Sequence, residues 1–218
     1  MSAHSTDIDL FGRPRTAGVY RRAVKPAIDV TLVLLAAPVW MPVVLLAALL
    51  VMRDGHFPFY SQWRVGRGGR VFRMWKLRSM VVDADACLEA HLAADPAARA
   101  EWDSTQKLKH DPRITAVGRT LRKTSLDELP QLFNVLTGDM SLVGPRPMMV
   151  DQRGLYHGTS YYRLRPGLTG FWQISNRNEC RFVDRVRFDD AYNRAVSPRT
   201  DVAVLWRTVA VVMRGTGY

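Results

Sequence analysis

The sequence predicts a mostly helical α+β protein whose apolar N-terminal segment dips into one membrane leaflet and returns. Three observations carry this expectation. Residues 30–52 form a run of 23 residues without a charged side chain. As a straight helix the run would reach about 35 Å, against about 30 Å for the hydrocarbon core. Pro38 and Pro42 interrupt it. Both flanks are basic: Arg13, Arg15, Arg21, Arg22 and Lys25 precede the run, and Arg53, Arg64, Arg67, Arg70, Arg73, Lys76 and Arg78 follow, opposed only by Asp54. A crossing helix wants its basic residues on one side, so two basic ends leave a span without a good orientation. A break at Pro38 and Pro42 keeps both ends on the cytoplasmic face, each arm reaching about 17 Å. A single-span anchor is the nearest competitor, because proline is tolerated in membrane helices when freed backbone groups find partners. A buried helix of a soluble protein fits less well, since apolar residues run all round rather than along one stripe. A cleaved signal peptide fits poorly, because the segment starts late and exceeds an h-region.

The remaining elements follow in order. Residues 1–16 are polar and mixed in charge, as loose termini are, so 1–19 reads as a flexible segment. Residues 20–53 hold the basic juxtamembrane stretch and the hairpin, and 54–218 the cytoplasmic part. Residues 57–80 alternate apolar and basic side chains around Gly66, Gly68 and Gly69, the pattern of two short strands joined by a turn. Residues 81–106, rich in Ala, Asp and Glu, predict one or two solvated helices interrupted at Pro96. Residues 115–136 read as helix with a break, ended by Gly138. Residues 143–177 are rich in Pro and Gly and predict mostly loop. Residues 182–193 predict helix. Residues 202–213 are apolar with Arg207 inside, which suits an interfacial or packing helix better than a span.

Length and charge bound the function. A chain of 218 residues holds one domain, or a small one plus an anchor, and its net charge of +11 calls for an anionic partner. Nucleic acid, acidic lipid headgroups and phosphorylated substrates all qualify, and the membrane segment favours the last two. Cys87 and Cys180 are too few and too far apart for a disulfide framework or a metal site, which suits a reduced cytosol. His4, His56, His91, His110 and His157 show no paired ligand spacing, so zinc is not expected. A site of carboxylates and phosphates suits Mg²⁺ instead.

The most informative short segment runs from Arg122 to Asn134. Ser125 with Glu128 three positions later matches a capping box, and Leu129, Leu132, Phe133 and Leu136 follow at helical spacing. Pro130 argues for a helix that begins slightly later. Either start puts Asp127 and Glu128 at a helix N-terminus, where carboxylates are held ionised and phosphate is attracted. Capping alone explains most acids in such places. The surroundings add to the case: Lys76, Arg78, Arg119, Arg122, Lys123, Arg146 and Arg165 fall in short stretches interleaved with Pro, Gly and apolar residues, as phosphate-binding loops do. Asp189 and Asp190 offer further carboxylates, or simply a helix surface.

These stretches resemble the bacterial sugar transferases, the monotopic phosphoglycosyl transferases that start lipid-linked glycan assembly. The resemblance rests on Gln62-Trp-Arg64-Val-Gly66, Lys76-Leu-Arg-Ser-Met80, Ser125-Leu-Asp-Glu-Leu129, Asn134-Val-Leu-Thr-Gly-Asp-Met-Ser141, Gly144-Pro-Arg-Pro147 and Arg165-Pro-Gly-Leu-Thr-Gly170. It covers nearly everything from residue 25 onward, and is nearest the small members of exopolysaccharide production. It implies a re-entrant helix hairpin, amphipathic helices on the cytoplasmic leaflet and a small globular α/β part at the bacterial inner membrane. It implies transfer of a sugar-1-phosphate from a UDP-sugar, with galactose or glucose expected, to undecaprenyl phosphate, releasing UMP and needing Mg²⁺. Asp127 would be the nucleophile and touch the metal, and Glu128 would assist. Lys76, Arg78, Arg122, Arg146 and Arg165 would bind substrate, with Asp189 as an acid near the site. Anionic lipids, downstream glycosyltransferases and a second copy are the implied partners; nucleic acid is not.

Two departures stand out. Met41 precedes Pro42 where relatives often carry Ser, with an additional Ala37-Pro38 upstream, and Asn176 stands where many have Gly before Arg177. The competing class is a membrane-anchored basic binding or scaffold protein without catalysis, which leaves Asp127-Glu128 unexplained.

Overall fold

From residue 17 to residue 51 the backbone is helical without interruption: three α-helical residues, a π-helical turn at Tyr20–Val24, then α1, Lys25–Val51. The computed structural model describes residues 17–105, 108–175 and 182–213, so nearly all of the expected flexible segment lies outside them, as do Cys180, Asn176 and Arg177. Pro38 and Pro42 both sit inside α1. The expected helix–break–helix is therefore not a gap in secondary structure. Each proline removes only one N–H, and the loss is local. Trp40 Nε1 donates to the Val33 carbonyl at 3.0 Å in this stretch.

Why α1 is apolar all round becomes clear from its neighbours. Lys25, Asp29, Val33, Trp40, Val44, Ala47, Ala48 and Val51 are buried, with Ala37 partly so, a stripe at helical spacing along the whole length. The opposite face leaves Leu34, Leu35, Val39, Leu45, Leu46 and Leu49 exposed. One face meets protein, and the other is apolar and exposed. The helix is long and apolar enough to cross a membrane by length and composition. Yet the globular body accompanies it from end to end. At its start, Lys25 Nζ lies 2.8 Å from Asp201 and 3.5 Å from Asp29, Tyr20 and Tyr192 hydroxyls donate to Asp201 at 2.7 Å, and Ser141 Oγ donates to Asp29 at 2.5 Å. At its end, Ala47, Ala48 and Val51 pack on Leu77 and Leu121.

The expected strand pair forms β1 (Phe59–Val65) and β2 (Val71–Leu77), antiparallel with Phe59 opposite Leu77 and Val65 opposite Val71. Gly68 and Gly69 turn the chain between them at φ of 68° and 81°. The expected solvated helices are α2 (Ala84–Ala94) and α3 (Pro96–Thr105), parted at Asp95, whose carboxylate accepts from the Ala97 and Ala98 N–H groups. α4 spans Ala116–Lys123, capped by Thr115 Oγ1, which accepts from the Gly118 N–H at 2.9 Å. Next come a 3₁₀ turn at Leu126–Glu128 and α5 at Gln131–Leu136. The capping box is not made: Ser125 sits in the left-handed region at φ 57°, and its side chain caps nothing.

Beyond Gly138 comes β3 (Ser141–Val143), and residues 143–177, expected to be mostly loop, contain β4 (Met148–Met149), a short α6 (Ser160–Arg163) and β5 (Gly167–Thr169). Strands this short carry no readable alternation. β4 joins the free edge of β1, and β3 runs parallel to β5. The chain finishes with α7 (Arg185–Ala195) and α8 (Pro198–Met213). α8 buries Thr200, Asp201 and Val204 and exposes Val202, Trp206 and Val209 together with Arg199 and Arg207, so it packs on one side and is amphipathic on the other.

Candidate active site

Asp127 and Glu128 come to lie beside β2 because of what surrounds them. The left-handed Ser125 reverses the chain after α4, and the 3₁₀ turn then presents both carboxylates. α5 is pinned to the outer edge of β2 by Asn134, whose Oδ1 accepts from the Trp75 N–H at 3.1 Å and whose Nδ2 donates to the Arg73 carbonyl at 2.7 Å. That pin sets Lys76 against the acids: its Nζ is 2.7 Å from Glu128 Oε1 and 3.8 Å from Asp127 Oδ2. From the far side α4 brings Arg122, whose Nε donates to Ser79 Oγ at 2.9 Å. Only glycine permits that approach, since a Cβ on Gly118 would lie 1.9 Å from the Ser79 carbonyl oxygen. Asp127 is 8% exposed. Burial pushes its carboxyl above the ordinary range, Lys76 and Arg122 pull it back, and the neighbouring Glu128 charge adds to the rise.

The acids stand in a cleft of ≈ 1110 Å³ that Lys76, Arg122, Asp127, Glu128 and Arg146 all line. Two of the motifs meet behind Arg146. Gly144 N–H donates to the Thr169 carbonyl at 2.8 Å, and a Cβ on Gly144 would lie 2.3 Å from the Arg165 carbonyl oxygen. Such close backbone contact fixes the Gly144-Pro-Arg-Pro147 loop and with it the Arg146 guanidinium at the cleft.

Three expected substrate ligands are placed differently. Arg78 lines the cleft, but its guanidinium binds both Asp54 oxygens at 2.7 Å and donates from Nε to the Phe57 carbonyl at 2.9 Å. Its work is to hold the loop after α1. Arg165 points instead to a small cavity beside Arg21, Lys25 and Asp29 at the start of α1. Asp189 is 2% exposed, accepts from the Tyr156 hydroxyl at 2.9 Å, and has its carboxyl pushed up to about 7 by burial against the opposing pull of Arg185. Arg185 donates to the Arg146 carbonyl and stacks over Trp172 at 5.9 Å. Asp189 therefore lies one layer behind the cleft.

Sequence reasoning missed Gln62, Arg64 and Trp172, which also line the cleft. Tyr60, Gln62 and Arg64 oppose Lys76, Met74 and Phe72 across the hairpin, so all share one face. Arg64 Nη2 donates to Gln62 at 2.5 Å, and its Nε has no partner among the described residues. Burial lowers the Arg64 pKa, and the Arg146 and Arg185 charges add to the lowering. Arg64 and Arg146 both line the cleft, and two cations so placed favour a polyanion. The Gln62–Gly66 stretch was visible in the sequence, but its alternation does not say which face looks inward.

Comparison with known sequences now decides the family, because the profile described as "Bacterial sugar transferase" matches residues 20–215. The chain belongs to the bacterial sugar transferase family. The chain is 47% identical over 198 residues to the "Undecaprenyl-phosphate galactose phosphotransferase" of Salmonella typhimurium, covering 90% of this chain and 42% of that protein. It is 43% identical over 196 residues to "Exopolysaccharide production protein ExoY" of Sinorhizobium fredii, covering 88% of this chain and 87% of that one. The "UDP-glucose:undecaprenyl-phosphate glucose-1-phosphate transferase" of Escherichia coli is 38% identical over 214 residues, covering 93% and 42%. The chain thus spans 42% of the length of the first relatives it matches. Among the described residues, no group of three or more His, Cys, Asp or Glu side chains gathers as a metal cage. The paired carboxylates of Asp127 and Glu128 suit a divalent ion that completes its shell with substrate oxygens and water.

Proposed function

We propose that this sugar transferase moves a hexose-1-phosphate from a UDP-sugar to undecaprenyl phosphate at the cytoplasmic face of the bacterial inner membrane, as the first membrane step of exopolysaccharide assembly. The observation that carries the reading is a buried Asp127, held beside Lys76, at the floor of a cleft lined by Arg64, Arg122 and Arg146. An Asp127 oxygen attacks the β-phosphorus of the donor. The bond from that phosphorus to the bridging oxygen breaks, UMP leaves, and a phosphosugar-aspartyl ester remains. A phosphate oxygen of the lipid then attacks the same phosphorus and displaces Asp127, restoring the free carboxylate. Lys76 screens the diphosphate charge that would repel an anionic nucleophile, and the Arg64 and Arg146 wall takes the departing nucleotide phosphate. Mg²⁺ held by Asp127, with Glu128 beside it, would neutralise further diphosphate charge. Galactose and glucose are the favoured sugars, in keeping with the names of the relatives. A re-entrant, half-inserted α1 is supported by its lengthwise packing, which keeps both basic ends with the globular part. Downstream glycosyltransferases would take the product.

The test is a screen of UDP-sugars with undecaprenyl phosphate and Mg²⁺, reading UMP. One or more donors should release UMP, with Asp127→Ala inactive. Stopping the reaction without acceptor should leave sugar phosphate esterified to Asp127 by peptide mass. UMP release by Asp127→Ala at the unsubstituted rate would defeat the nucleophile assignment.

A further inference from the structure

A second cavity lies along α1, and its lining is wholly apolar. It occupies ≈ 590 Å³ between the second half of α1 and the 57–59 segment, walled by Met41, Leu45, Leu49, Met52, Phe57 and Phe133 among others. Its one potential donor, the Trp40 indole N–H, is turned to the Val33 carbonyl. Trp40 and Phe133 meet edge to face at 5.0 Å, and Phe57 and Phe59 lie 5.7 Å apart, so aromatic rings bound it on two sides. Phe57 also lines the catalytic cleft. The two cavities thus share a wall.

That wall is held firmly. The Pro58 carbonyl accepts from the Arg78 N–H at 2.7 Å, and the Arg78 side chain grips Phe57 and Asp54. Arg78 follows Lys76 by two residues, so the partition between groove and cleft is tied to the chain that carries the lysine beside Asp127. An apolar groove that shares its Phe57 wall with a cleft lined by Lys76, Arg122 and Arg146 matches one kind of ligand: a single hydrocarbon chain ending in a phosphate. We propose that this groove seats the first isoprene units of the polyprenyl acceptor and leads its phosphate past Phe57 to Asp127. The assignment rests on the transfer reaction proposed above.

Two half-reactions separate the sites. UMP release without acceptor reads only the donor cleft, whereas turnover with undecaprenyl phosphate also reads the groove. Leu45→Trp and Leu49→Trp fill the groove at positions 63% and 56% exposed, and Leu35→Trp adds the same bulk on the outer face, 73% exposed, away from it. The groove variants should raise KM for undecaprenyl phosphate about tenfold or more, the penalty for misfit in an apolar pocket, with an unchanged acceptor-free UMP burst. Leu35→Trp should match the unsubstituted protein. A normal burst with unchanged KM in both groove variants, or an equal rise in Leu35→Trp, sinks the seat alone. No burst from the unsubstituted protein with any UDP-sugar sinks the transferase reading, and the seat with it. A photoreactive polyprenyl phosphate on the unsubstituted protein gives a readout independent of variant folding. Label within residues 41–59, competed by undecaprenyl phosphate and not by phosphatidylglycerol, supports the seat; equal competition by phosphatidylglycerol means bulk lipid occupies it and overturns the proposal.

Discussion

As the proposed nucleophile, Asp127 must be ionised, yet its burial opposes ionisation, and Lys76 and Arg122 stand against that burial. Replacing Lys76 with Met removes the larger of the two opposing charges, so the Asp127 pKa rises further and the acid limb of kcat/KM moves to higher pH. Neutral-pH activity should also fall about 10²-fold, the usual scale for a lost electrostatic stabiliser. A pH profile of UMP release with unchanged limbs would remove Lys76 from this role. Asp189 gives a second pH test, in stability. Its folded carboxyl titrates at about 7 against 3.8 in the open chain, so the native state holds the proton more tightly. The stabilisation is full below the open-chain value and is lost as pH rises through the folded one. Asp189→Asn should therefore flatten the decline in Tm across that window, and an unaltered slope would show the group ionised throughout. Lys76 and Arg78 look alike in sequence. They part company because Arg78 lies past the end of β2, within reach of Asp54, while Lys76 remains in the ladder opposite Tyr60.

The helices and the β1–β2 hairpin announce themselves because their periodicity persists over many residues and glycine or proline marks their ends. β3, β4 and β5 do not, because two or three residues cannot display a period. Their existence depends on partners distant in sequence, as with Ser141 beside Gly167. The Ser125 motif misleads for a related reason. Capping geometry needs extended backbone at the cap residue, and the approach of α4 to Ser79 instead drives the chain through a left-handed turn. The Asn134 pin can be tested in isolation. Asn134→Leu leaves the Trp75 N–H and Arg73 carbonyl of the β2 edge without partners, and should cost about 2 kcal/mol, read by thermal unfolding in detergent. Weakened UMP release is expected alongside, because Lys76 loses its register with Glu128. Full stability in that variant would mean the edge is satisfied by other means.

For the molecule as a whole, the two basic flanks and the lengthwise packing of α1 lead to one topological expectation. Cysteines introduced at Arg22 and Arg53, with Cys87 and Cys180 replaced, should both react with an impermeant maleimide only from the cytoplasmic side. Labelling from opposite sides would make α1 a true span. The chain itself already determined its long apolar segment, its strong positive charge and the acids and bases of its motifs, since these follow from composition, charge and local spacing. Tertiary structure alone decided that α1 runs unbroken along the body, that Arg78 at the cleft is engaged by Asp54 and Asp189 lies behind it while Gln62, Arg64 and Trp172 line it, and that an apolar groove shares a wall with the cleft. Those outcomes depend on which side chains meet across long stretches of chain, and contacts of that kind leave no mark on the sequence near either partner.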